Sequence, residues 1–179
     1  MKKYTIVIAG GGSTFTPGVV KALLSKKNEF KLKELRVYDI DPERQRKISV
    51  ITRQVVKEID PEVEFSEHSN PETAFDNADF VFAQIRTGKY FMRGLDEKIP
   101  LSLNTIGQET CGPGGLAYGL RTIKPMIELI DYMEKYSKEN CWMINYSNPA
   151  SIVAEAIRIL KPNSKILNIC DMPVAMLQK

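Results

Sequence analysis

Apolar residues gather along this chain in short runs, none of them broken by more than one polar residue, at residues 4–9, 35–38, 63–65, 80–85, 142–144 and 166–169. Between most of them the apolar positions recur every three or four residues. Short runs alternating with helical spacing predict an α/β fold, a Rossmann-like, doubly wound, mostly parallel sheet with helices on both faces. Residues 16–24 read as a first helix, with Thr16 as its cap and Pro17 in its first turn, where a missing N–H costs nothing. Asp41-Pro42 repeats the device. The helix it opens places Ile48, Ile51, Val55 and Ile59 inward and leaves Arg44, Arg46 and Lys47 in solvent. Residues 120–136 are helical, with Met126, Leu129, Ile130 and Met133 on the apolar side and a kink or fresh start expected at Pro125. The last helix, residues 151–160, buries Ile152, Val153, Ala156, Ile157 and Leu160. Without repeats or linkers, residues 1–179 read as one nucleotide-binding domain, and the catalytic half that usually follows such a domain is expected to be absent.

The first run ends in Gly10-Gly11-Gly12-Ser13-Thr14 and leads into a helix. Glycines there permit a sharp turn, and unpaired amides at a helix N-terminus attract a pyrophosphate. The second run ends in Asp39, placed to accept hydrogen bonds from a ribose diol, which favours NAD over NADP. Gly10, Gly12, Ser13, Thr14 and Asp39 are therefore the cofactor candidates. Phe15 stands where the stricter fingerprint has Gly or Ala, and a plain turn with an ordinary cap is the alternative.

With 179 residues, 43% of them apolar, the chain needs no disulfides to fold. Its three cysteines, Cys111, Cys141 and Cys170, are widely spaced and suit a reducing cytoplasm. The 25 basic and 22 acidic residues form no basic stripe, so nucleic acid is not an expected partner. No stretch has the ~20 apolar residues of a membrane span.

Ligands of an open parallel sheet bind beyond the carboxyl ends of its strands. Arg86, Lys89 and Arg93 follow the fourth run and suit a phosphate or carboxylate, or else a solvated loop. Asn145 and Asn148 follow the fifth and suit sugar hydroxyls, or a turn. The small-residue segment 107–115 surrounds Glu109 and reads either as a flexible lid or as a close-approach site. His68, the single histidine, is expected in a polar loop beyond the third strand, away from any chemistry. Cys170 ends the sixth run beside Asp171, pairing a thiol with a carboxylate.

Residues 9–18, 107–115, Asn145 to Pro149 and Cys170-Asp171-Met172-Pro173 together resemble the NAD-dependent family 4 glycoside hydrolases. The Cys-Asp-Met-Pro form is similar to that of the members that cleave 6-phospho-α-glucosides such as maltose 6'-phosphate. Phe15 is ordinary in that family, which stands outside the two-carboxylate glycosidase scheme. The resemblance implies hydride transfer from sugar C3 to NAD, elimination across C1–C2, hydration and return of the hydride. It also implies a divalent metal, usually Mn2+, held in part by Cys170. By the same resemblance Asp171 is the acid for the leaving oxygen, and Glu109 supports a tyrosine base. Arg93 and Asn148 contact the phosphorylated disaccharide. The family's second metal ligand and its tyrosine base lie in a carboxyl-terminal half, so the chain is expected to be inactive alone and a homo-oligomer only at full length. A lactate- or malate-type dehydrogenase and a non-catalytic NAD-binding module are the alternatives.

Overall fold

A computed structural model describes residues 2–177. Six strands, β1 (Lys3–Ala9), β2 (Lys31–Tyr38), β3 (Glu64–His68), β4 (Phe80–Ala83), β5 (Trp142–Asn145) and β6 (Ile166–Asn168), form one parallel sheet. Their order is β3-β2-β1-β4-β5-β6. The direction of winding reverses between β1 and β4, the crevice where doubly wound folds take their ligands. Helices α1 (Thr16–Ser25), α2 (Pro42–Ile59), α3 (Pro71–Phe75), α4 (Lys89–Ser102), α5 (Gly112–Tyr136), α6 (Ala150–Leu160) and α7 (Met172–Leu177) connect or follow the strands. Among the described residues no helix is long and apolar enough to cross a membrane.

The backbone divides into two compact units, one of residues 2–84 and 131–143 and the other of residues 85–130 and 144–177. In the first, Ile6 and Ile8 of β1 and Leu35 and Val37 of β2 meet Val20 and Leu24 of α1 and Val56 of α2. Tyr4 stacks on Phe30, with ring centres 4.6 Å apart, and Phe80 meets both edge-on. This burial is the main force holding the unit together. In the second, Gly119 of α5 lies against Ile152 of α6, and Tyr118, Met126, Ile130, Val153 and Ile157 are buried.

The buried face of α2 is not the expected one. It carries Gln45, Ser49, Thr52 and Val56, with Val55 and Ile59 packed at its border and Ile51 56% exposed. Small and polar side chains let α2 approach its neighbours closely, and Thr52 returns its hydroxyl to the Ile48 carbonyl at 3.0 Å. Leu160 likewise lies exposed at the end of α6. Thr16 does not cap α1. Its hydroxyl donates instead to the Gly11 carbonyl at 3.0 Å and accepts from Gln84 at 2.8 Å, while Asp41 does cap α2, accepting from the Arg44 amide. Helix α5 starts at Gly112, well before residue 120, and runs through Pro125 without restarting; Pro113 suits a first turn. Lys89 and Arg93, for which a solvated loop is the alternative reading, lie on α4.

At the amino ends of the strands Asp79 is buried, accepting from the Thr5 amide at 2.9 Å and from Lys138 at 2.9 Å. Burial alone would raise its pKa, but the amide and the Lys138 and Lys2 ammonium groups prevail and hold it below its ordinary 3.8. A depressed carboxylate stabilises the fold above its unfolded pKa and loses that contribution as pH falls through the folded value. Asp79→Asn should therefore destabilise the protein by about 1–2 kcal/mol at neutral pH. It should also flatten the decline in stability below about pH 4, and urea titrations between pH 2.5 and 7 would check both effects.

Candidate functional site

In the first unit the amides of Gly10 and Gly11 both donate to the Tyr38 carbonyl at 2.9 Å. The turn is thus pinned to the end of β2. A side chain on Gly11 would put its Cβ 2.7 Å from Val37 Cβ, so only glycine allows this approach. The Gly12 amide donates to one Asp39 oxygen at 2.8 Å, and the Asp41 amide to the other at 2.9 Å. Ser13 closes a turn on the Gly10 carbonyl at 3.0 Å, and its hydroxyl accepts from the Phe15 amide. Exposed Thr14 is left at the entrance to α1, and among the described residues its amide makes no hydrogen bond within the protein.

Sequence reasoning missed two residues here. Gln84, just after β4, donates to the Thr16 hydroxyl at 2.8 Å and approaches the Gly10 carbonyl at 3.4 Å, bracing the turn from the far side of β1. Its place after a strand end was the available signal. Arg44, expected in solvent, is half-buried, and its Nε donates to the Gly12 carbonyl at 2.8 Å. His68 is not in a loop but ends β3, opposite Tyr38. Its ring lies between the Ser66 and Thr73 hydroxyls at 2.9 and 3.0 Å. Burial first, and then the Arg36 charge, push its pKa down.

In the second unit Glu109 sits between two guanidinium groups. Arg86 Nη1 approaches one oxygen at 2.5 Å, and Arg93 Nη1 the other at 3.4 Å. Arg93 also donates Nε to Glu97 at 2.8 Å, which with Glu109 raises its pKa against the cost of burial. Arg86 lies against the rings of Tyr90 and Tyr118, at 5.2 and 5.7 Å from their centres. Burial raises the Tyr118 pKa. The loop carrying Glu109 packs so closely on α4 that a Cβ on Gly107 would fall 2.0 Å from the Glu97 carbonyl oxygen. Gly114 and Gly115 of the same segment likewise lie against backbone, of Asp96 and Thr110. A bidentate ion pair from Arg121 to buried Asp96 fastens α5 to α4.

At the end of β5, Asn145 is committed to the scaffold. Its side chain accepts from the Ser147 amide and donates to Asn168, both at 2.9 Å, and its carbonyl accepts from the Ile169 amide at 2.9 Å. Half-buried Asn148 precedes Pro149 through a cis peptide bond. Cys170 and Asp171 are exposed, with Sγ 3.9 Å from an Asp171 oxygen. Tyr146, unremarked in the sequence, hydrogen-bonds Asp171. Burial first, and then that bond and the Asp171 charge, push its pKa up to about 12. Among the described residues no three histidine, cysteine or acidic side chains form a metal-binding group.

A glycine turn of the nucleotide-binding type at the end of the first strand of a doubly wound sheet defines the class as a dinucleotide-fold protein. The chain belongs to the family 4 glycosyl hydrolases, whose sequence profile matches residues 5–179. It is 60% identical to the maltose-6'-phosphate glucosidase of Clostridium acetobutylicum over 98% of this chain and 40% of that protein. Two crystal structures of a 6-phospho-alpha-glucosidase from gut microorganisms share the fold. One, in complex with NAD and glucose-6-phosphate, has a TM-score of 0.96 and 52% identity, covering 98% of this chain and 41% of that one. The other, in complex with NAD and Mn2+, has a TM-score of 0.92 and 49% identity, covering 96% of this chain and 40% of that one.

Proposed function

We propose that this chain supplies the cofactor site and part of the active site of a glycosidase that hydrolyses 6-phospho-α-D-glucosides such as maltose 6'-phosphate. Residues 1–179 serve as its NAD-binding domain. The rest of the active site and the contacts of a homo-oligomer belong to the part of the relatives' length outside the match. The observation that carries this reading is the 60% identity to a maltose-6'-phosphate glucosidase along 98% of the chain. The three free cysteines suit action in the cytoplasm.

The residues present fit both cofactors. The Thr14 amide and the Ser13 and Thr14 hydroxyls stand at the N-terminus of α1 for a pyrophosphate, while the glycine amides hold the turn rather than the ligand. Asp39, fixed by two backbone amides, retains lone pairs for the ribose diol. Cys170 gives a thiolate donor, and water, sugar oxygens and a ligand from outside these residues would complete the coordination of a divalent metal. When bound, NAD supplies a hydride acceptor and the metal a Lewis acid.

The remaining chemistry falls to the chain's own side chains. Asp171 protonates the departing glycosidic oxygen, and the Tyr146 hydroxyl orients its carboxyl group. Glu109, gripped by Arg86 and Arg93, supports the tyrosine base. Arg93 keeps Nη2 for the substrate, and Asn148 meets the sugar hydroxyls.

Calorimetric titration tests this reading. NAD+ is expected to bind with micromolar to submillimolar affinity, and Mn2+ binding to weaken at least about tenfold in Cys170→Ser. A chain that binds neither NAD+ nor Mn2+ would overturn it.

A further inference from the structure

We infer that Arg44 is a binding residue for the adenosine half of a dinucleotide, an inference that rests on the NAD reading above. Two charged side chains converge on Gly12 from β2 and α2. Asp39 takes the glycine amide at 2.8 Å, and Arg44 gives Nε to the glycine carbonyl at 2.8 Å. The Arg44 stem lies along the same residue, its Cγ 3.2 Å from where a Gly12 Cβ would stand. The helix start fixes this placement, because the Arg44 amide is bound to the capping Asp41 carboxylate at 3.0 Å.

One edge of the guanidinium is thus tied down, while its two η nitrogens and its flat faces have no hydrogen-bond or ring partner among the described residues. A planar cation held by one edge next to a ribose-binding carboxylate suits an adenine ring, whose face attracts it. A lysine could match the charge but not the plane. The same placement would let Arg44 receive a 2'-phosphate if Asp39 were neutral, since it is the carboxylate that repels that group.

The test compares NAD+, AMP and nicotinamide mononucleotide against the wild-type chain, Arg44→Ala and Arg44→Lys, with circular dichroism to show that each variant is folded. Arg44→Ala should weaken NAD+ and AMP by the same factor, about tenfold. It should leave the mononucleotide unchanged, and Arg44→Lys should restore less than half of the lost free energy. Equal weakening of all three ligands would overturn the inference by making Arg44 a brace for the glycine turn. Unchanged NAD+ affinity in Arg44→Ala would overturn it while leaving the cofactor reading intact, and a wild-type chain that binds none of the three overturns both.

Discussion

Gly107→Ala should destabilise the second unit by about 3 kcal/mol or more, the largest effect expected of a single methyl group in this protein. The added carbon would stand 2.0 Å from the Glu97 carbonyl oxygen and 2.5 Å from Leu101 Cγ. Leucine can turn aside, but the oxygen belongs to the backbone of α4. Relief requires the loop to lift away, and lifting it draws Glu109 from Arg86 and Arg93. Gly18→Ala is the control. That glycine lies within α1 with nothing inside 4 Å, and alanine there should raise stability by about 0.5–1 kcal/mol. Thermal unfolding of the two variants, with limited proteolysis of residues 103–112, would separate a lifted loop from a general loss of helix. Equal melting temperatures would count against the close packing described.

Asp39→Ala should cost at least about thirtyfold in NAD+ affinity. Two losses combine. The ribose diol loses its charged acceptor, and the Gly12 and Asp41 amides lose the carboxylate that joins the glycine turn to the start of α2. Asp39→Asn separates them. Its single carbonyl can hold one of the two amides and a neutral partner remains for the ribose, so its affinity should fall between those of wild type and alanine. Isothermal titration of the three proteins gives the order. An alanine variant that binds as well as wild type would remove Asp39 from the cofactor site.

The strands were legible because a parallel strand covered on both faces has to be largely apolar, as residues 6–9 and 80–83 are. The glycine turn was legible for a similar reason, since no other residue fits against Val37. Helix α4 was hidden because Arg93 and Glu97 answer each other along its surface while Ile99 and Leu101 face outward. Its charges therefore imitate a loop. The inner face of α2 was misjudged because close packing chose Ser49 and Thr52 over Ile51. Candidate residues lying within one motif, such as Gly12 and Ser13 or Cys170 and Asp171, could be read locally. The partners of Glu109, 23 and 16 positions earlier in the chain, and the tie from Tyr146 to Asp171 arise only when distant segments meet.

The loop that carries Glu109 therefore behaves as part of the frame. It is pressed onto α4 at Gly107 and gripped through both carboxylate oxygens by arginines. A lid would surrender its conformational freedom each time a sugar arrived, and affinity would fall accordingly. Here that freedom is given up once, during folding. Under the role proposed for Glu109, its carboxylate is already set in place before any sugar arrives.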